Sequence, residues 1–260
     1  MSNMEFLKAN FVNTTTQMSV STGGTSTVSN LFNRFTSKKF GSGDASDATT
    51  TTIQIDFVST QTVDRIILQN HNFKSFTIYK GGATASVITI QNALTATTAW
   101  TTNSATSHYL IFDSATALTQ INIDISTTID TNEEKQLGEV WITANQFTFD
   151  RNPSARNYTP AVNRKEFPVS MSDGGTDLYI VQDNFMADIR MKFISSTEHT
   201  SLRTIYDLDN HFVFTPEPTG TAWNNEIFAV NWIGKFDLQW TKDFKGTGFN
   251  QRIKMREISK

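Results

Sequence analysis

His71 and Asn72 stand side by side at a polar corner, with Val63, Ile66 and Leu68 before them and Phe76, Ile78 and Tyr79 after. A loop histidine beside an amide can hold a sugar or an ion, and the same pair can instead satisfy main-chain groups at a tight corner. Trp100, in a Thr-rich stretch, and Trp223, beside Asn224 and Asn225, are placed as rings that stack on sugars or fill an interface, whereas Trp232 and Trp240 alternate with apolar residues and read as core. Asp44, Asp47 and Asp56 offer oxygen ligands, but no EF-hand spacing accompanies them, and an Asx-turn role is the plainer one. Asp130, Glu133 and Glu134 could supply the paired carboxyls of a glycosidase, held about 5–10 Å apart across a cleft; their clustering fits a solvated charged turn. His108, His199 and His211 are isolated and belong to no HExxH pattern. No G-x-S-x-G, P-loop or dinucleotide-binding glycine pattern occurs. Arg151, Arg156, Arg164 and Lys165 could meet an acidic partner or simply solvate a linker. The candidate ligand-binding residues are therefore His71, Asn72 and Trp100; no catalytic residue, no metal and no cofactor is expected, and the protein is not expected to be an enzyme.

The elements that must position these residues are strands. Ile53, Ile55 and Phe57 alternate with Gln54 and Asp56, and Ile121, Ile123 and Ile125 alternate with Asn122 and Asp124, the period-two pattern of a half-buried antiparallel sheet. Residues 51–80 read as three consecutive strands; Val87, Ile88 and Ile90, the run 109–112 and the run 137–142 add more. Residues 13–30 and 91–107, almost all Thr, Ser, Ala, Gly and Asn, offer too little apolar surface to offset their ordering entropy and read as mobile until assembly orders them. Pro153, Pro160 and Pro168 mark residues 146–170 as an extended connector, because proline lacks the donor that a central strand needs. Beyond it a hairpin turns at residues 172–175. One helix follows near 196–210, with Ser196 or Thr197 as cap and Glu198 in its first turn.

Composition narrows the function classes. A net charge of -3 gives no basic footprint for nucleic acid. Charged residues are only 18% and cysteine is absent, which removes disulfides, thiol nucleophiles and Cys-ligated metals together. The opening MSNMEFLKANFVN has no apolar signal region, and no run approaches the roughly 20 apolar residues of a spanning helix, so neither export by a cleaved signal nor membrane insertion is expected.

The order of I-x-I-D-F at 53–57, V-D-x-I-x-L at 63–68 and H-N-F at 71–73 resembles the galactose-binding-like jelly roll of discoidin and coagulation-factor C domains, in the versions carried by tailed-phage structural proteins. The phrase G-E-V-W-I at 138–142 is similar to the closing strand of those domains, and the end of the chain, with Arg252, Lys254, Arg256, Glu257 and Ile258, resembles the C-terminal regions of phage tail proteins. The resemblance implies an all-β fold: a jelly-roll β-sandwich over 1–145, the connector at 146–170, and a small β-barrel-like domain with one helix over 171–260. It further implies a structural component of a phage virion, in the tail tip or baseplate, made in the bacterial host cytoplasm and assembled as a homo-oligomer with other virion tail proteins. The alternative is a carbohydrate-binding adhesion module for host-surface glycans, for which Trp100 at the sandwich rim is the expected contact.

Overall fold

The computed structural model describes residues 3–21, 25–32, 38–81, 99–154, 156–171, 175–207, 211–216, 227–236, 239–243 and 246–258. Strands β1 (Glu5–Leu7), β2 (Met18–Val20) and β3 (Phe40–Gly41) are separated by 3-10 turns at Thr15–Gln17 and Thr25–Phe32. Next come β4 (Thr51–Gln69), β5 (Phe73–Lys80), β6 (Ala99–Trp100) and β7 (His108–Thr128), followed by the short β8 (Gln136–Leu137), β9 (Glu139–Thr143) and β10 (Asn145–Thr148). A long hairpin of β11 (Tyr158–Ser170) and β12 (Thr176–Ile194) leads into helix α1 (Ser196–Tyr206). Strands β13 (Phe212–Thr215), β14 (Phe228–Ile233), β15 (Gln239–Asp243) and β16 (Gly246–Glu257) complete the order. The fold is all-β apart from α1. No helix among the described residues is long and apolar enough to cross a membrane.

The first sheet runs β2-β4-β7-β5-β6, with β9 also on β4 and a small β3-β8 ladder beside it. Alternation sends Ile53, Ile55, Ile121, Ile123 and Ile125 to one face, where they pack with Leu31, Phe40, Leu137, Val140 and Ile142. Residues 51–69, expected as two strands, form the single strand β4. Its pairing with β7 shifts between Asp56 and Gln61 and again between Val63 and Arg65. Such bulges let a long strand bend without ending, and at the first of them Val58 is thrown outward, 92% exposed.

The described part of the Thr- and Ser-rich stretch 13–30 is ordered within the chain itself, contrary to the expectation of a mobile loop. Met18, Val28 and Leu31 supply enough apolar surface to anchor it in the first core, and Gln17 accepts from the Asn13 and Thr14 amides while donating to the Phe11 carbonyl. Polar side chains that spend their hydrogen bonds on local backbone replace the apolar burial that such a segment lacks.

The second sheet runs β10-β1-β13-β14-β16-β12-β11, with β15 on β16. Helix α1 packs against both β10 and β16 of this sheet. Ser195, one residue earlier than expected, caps the helix, accepting from the Glu198 amide while the Glu198 carboxylate accepts from the Ser195 amide. Leu202 and Ile205 face the sheet.

The expected connector 146–170 is mostly sheet, since it holds β10 and β11. Two of its three prolines, Pro160 and Pro168, mark an edge strand instead of a linker. Among the described residues β11 is the last strand of the sheet and pairs only with β12. Pro160 and Pro168 are eight residues apart, an even number, and the register shift near Lys165 adds its extra residue on β12, so both prolines turn the same way, as an edge strand with one free side allows.

The chain also begins in the second unit. Residues 4–7 do not belong with the sandwich that follows them: β1 lies between β10 and β13, and Phe6 sits 5.0 to 6.2 Å, ring to ring, from Phe147, Phe149, Phe212 and Phe214. Leu7, on the other face of β1, packs with Ile67, Tyr109, Trp141, Val213 and Ala229, a core shared by both sheets. A buried polar group spans the same junction. Glu5 receives two bonds from Arg65, at 3.0 and 3.2 Å, and one from the Tyr109 hydroxyl at 2.7 Å. Burial works to lower the Arg65 pKa, but the Glu5 hydrogen bonds and charge reverse this and hold it above its ordinary value. The Tyr109 hydroxyl is pushed up by burial and by the Glu5 charge.

Candidate functional site

A cleft of about 400 Å³ opens where the two sheets meet. Its parts come from elements far apart in sequence: the segment 8–13 that leaves β1, Gln17 of the first 3-10 turn, the outward bulge of β4 at Phe57, Val58 and Gln61, Gln146 of β10, and His211 just before β13. The segment after β1 is fixed by main-chain bonds from Lys8 to Ala144 and from Phe11 to Ile142. The volume is in the range of ordinary ligand sites.

The lining divides into a fixed base and an adaptable rim. Asn10 spends its amide on the Val140 carbonyl and the Val12 and Ile142 amides, and Gln17 is committed to the turn as described. Phe11 and Phe57 meet edge to face at 6.5 Å and give the cleft an apolar side. Around them stand Lys8, Asn13, Gln61 and Gln146. Gln61 donates to the Ser59 hydroxyl through its nitrogen, which leaves its carbonyl oxygen for an incoming donor. Aromatic edges beside amides that both donate and accept are suited to a ring with an apolar face and several hydroxyls.

The residues nominated from sequence lie elsewhere, as none of His71, Asn72 and Trp100 lines this cleft. His71 is 1% exposed. Its Nδ1 accepts from the Phe73 amide at 3.0 Å, and its Nε2 lies 2.8 Å from His108 Nδ1. Because an amide can only donate, the His71 proton is on Nε2 and points to His108, whose own proton is then on its buried Nε2. Asn72 accepts from the Gln136 amide and donates to the Glu134 carbonyl, tying two loops together. Trp100 lies flat on Phe76, at 4.4 Å and 4°, and meets His108 edge to face. His71 and Trp100 are thus joined in one aromatic cluster, with His71 a core residue. Trp223, the strand expected near 87–90 and residues 91–98 lie outside the described residues.

Both histidines are held neutral. Burial, then the charges of His108 and Lys39, keeps His71 well below its ordinary value, and burial lowers His108 to about 4. In the unfolded chain both return to about 6.5, so unfolding takes up protons between those limits. The contribution is complete above pH 6.5 and is lost as the pH falls toward 4. For His108 alone it amounts to about 3 kcal/mol. Urea midpoints at pH 7 and pH 5 are expected to differ in the wild type and to converge in His71→Gln/His108→Gln; equal wild-type midpoints contradict the buried neutral pair.

The carboxylates are also occupied. Asp47 accepts from Thr128 and from the Asn132 amide, Glu134 accepts from the Gly43 amide, and Asp56 accepts from Gln54 and Gln120. Lys135, fully buried, donates to the Ser46 and Thr49 carbonyls in the same corner. Among the described residues there is no cluster of three or more His, Cys, Asp and Glu side chains placed to hold a metal.

No family model matches this sequence, and no curated protein matches it. Solved structures do match in shape. Chitosan-binding module 1 of a chitosanase/glucanase from Paenibacillus sp. IK-5 is 18% identical, with a TM-score of 0.41, over 53% of this chain and 99% of the module. Chitosan-binding module 2 of the same enzyme, in complex with chitotriose, is 19% identical with a TM-score of 0.38 over 48% and 93%. A CBM32 module from a family 31 glycoside hydrolase of Clostridium perfringens is 17% identical with a TM-score of 0.37 over 51% and 98%. Each likeness takes in about half of this chain.

Proposed function

We propose that the protein is a carbohydrate-binding module and that the cleft between its two sheets holds a neutral glycan. The observation that carries this reading is the cleft's construction: Asn10 and Gln17 are locked by main-chain bonds, Phe11 and Phe57 present apolar edges, and Asn13, Gln61 and Gln146 stand at the rim. A preformed base costs little to order on binding, and each rim amide can both give and take a hydroxyl bond. The test is retention on immobilised neutral oligosaccharides. Asn13→Ala/Gln61→Ala removes two rim groups, each worth about 0.5–1.5 kcal/mol, and is expected to lower retention about tenfold or more. Trp100→Ala, away from the cleft, is expected to leave it unchanged. Unaltered retention in the double variant, or loss in Trp100→Ala, contradicts the assignment.

A second reading, that the same chain is a structural component of a phage tail, rests on the β11–β12 hairpin. Residues 159–164 of β11 are exposed on both faces, Val162 at 66%. A two-stranded ribbon is marginal alone and gains stability when a neighbouring subunit covers it. Electron cryomicroscopy of purified virions is expected to find the hairpin covered at a fixed contact with copies of itself or other tail proteins; absence of the protein from the particle removes this reading.

A further inference from the structure

The outer face of the β12–β16 ladder is charged in a way that folding alone does not favour. Asp188, Arg190 and Lys192 alternate outward along β12, between the buried Ala187, Ile189 and Met191. Their neighbours on β16 are set by the register: Arg252 lies directly opposite Arg190, and Lys254 directly opposite Asp188. Like charges placed opposite one another across strands are destabilising. One carboxylate, Asp188, serves three cations, Arg252, Arg190 and Lys254. Asp188 accepts three bonds from Arg252, two from Nε at 3.0 and 3.1 Å and one from Nη2, and lies 3.6 Å from Arg190. The Lys192 ammonium has no carboxylate partner among the described residues.

Two concavities flank this row and share Arg190, Met191 and Lys192. One, of about 270 Å³, continues over Gln239, Asn250 and Arg252. The other, of about 310 Å³, continues over Arg151, Ser154 and Asn157. Among the described residues no Asp or Glu lines either one. The strand between them is bulged, since Met191 pairs with Gln251 but Ile194 with Phe249. Phe193 there holds a φ of 58°, costly for an aromatic residue. The bulge presses so close on Gly248 that a Cβ on that glycine would stand 2.6 Å from the Ile194 carbonyl oxygen. The strain and the repulsion converge on the same few residues.

We propose that this face binds an anionic polysaccharide, with Arg190 and Lys192 at the centre of the site and Arg151 and Arg252 at its two ends. Two adjoining hollows bridged by cations fit a chain with spaced negative groups better than a lone ion. The amides and hydroxyl between the cations, Gln239, Asn250, Asn157 and Ser154, suit the sugar hydroxyls between those groups. A densely charged nucleic acid is disfavoured by the overall charge of -3. The site is separate from the cleft between the sheets and does not depend on it.

The test is affinity electrophoresis at low salt in gels containing hyaluronate, dextran sulfate or neutral dextran. The wild-type protein is expected to be retarded by the charged polymers and not by dextran, with retardation falling as salt rises. Arg190→Gln/Lys192→Gln, both at exposed positions, is expected to weaken binding about tenfold or more while its thermal midpoint stays the same or rises. Asn13→Ala/Gln61→Ala is expected to behave as wild type here, so the two sites fail or succeed independently. Absence of retardation by both charged polymers, equal retardation of wild type and the Arg190/Lys192 variant, or displacement by oligo-dT as effective as by the polysaccharide overturns the proposal.

Discussion

Replacing Arg65 by alanine is expected to lower the unfolding free energy by about 3–5 kcal/mol. The reason lies in what is left behind. Glu5, Arg65 and Tyr109 are all buried at the junction of the two sheets, and Arg65 supplies both of the charge-assisted bonds to Glu5. Without it a carboxylate remains in the interior with the Tyr109 hydroxyl and a 3.4 Å contact from Thr148. Removing both charges at once is a different perturbation, and Glu5→Gln/Arg65→Met is expected to recover most of the loss, because the desolvation penalty disappears with the pair. Guanidinium denaturation of the wild type and both variants measures the comparison. A cost below about 1 kcal/mol for Arg65→Ala, the level of an exposed pair, would show that water reaches the junction.

The second large effect is expected at Phe6. Its ring lies among those of Phe147, Phe149, Phe212 and Phe214 and has no exposed surface. Phe6→Ala removes the centre of that group and leaves a cavity that rigid strands on either side cannot close, at about 3–5 kcal/mol. Because Leu7 on the opposite face of β1 belongs to the core shared with the first sheet, the loss is expected to reach both units. Tryptophan fluorescence and far-ultraviolet circular dichroism should report one shifted transition. Two separate transitions, with that of the first sheet unmoved, contradict a junction that couples them.

Alternation was legible because each residue carries its own evidence: Ile53, Ile55, Ile121, Ile123 and Ile125 are all fully buried where period two placed them. Glu198 in the first turn and the stripe of Leu202 and Ile205 made α1 equally local, although the cap is Ser195 and not Ser196 or Thr197. What failed depended on partners distant in sequence. Nothing in residues 4–7 says that they will pair with 145–148 and 213–215. The prolines of β11 signal groups that cannot donate, but an edge strand and a linker satisfy that condition equally well. A histidine beside an asparagine at a polar corner signals side chains that satisfy nearby main chain, and the bonds of His71 and Asn72 to Phe73, Gln136 and Glu134 are of that kind. The cleft had no motif to find. Ordinary amides and phenylalanines from 8–13, 57–61, 146 and 211 become a site only when the sheets meet, and the amide-rich K-A-N-F-V-N at 8–13 was its one local sign.

The central claim is that this junctional cleft receives a sugar, and backbone amide shifts of isotopically labelled protein during titration with neutral oligosaccharides test it most directly. Saturable shifts confined to residues 8–13, 57–61 and 146 are the predicted result. Shifts centred on Trp100 and Asn103, or none with any sugar, contradict it.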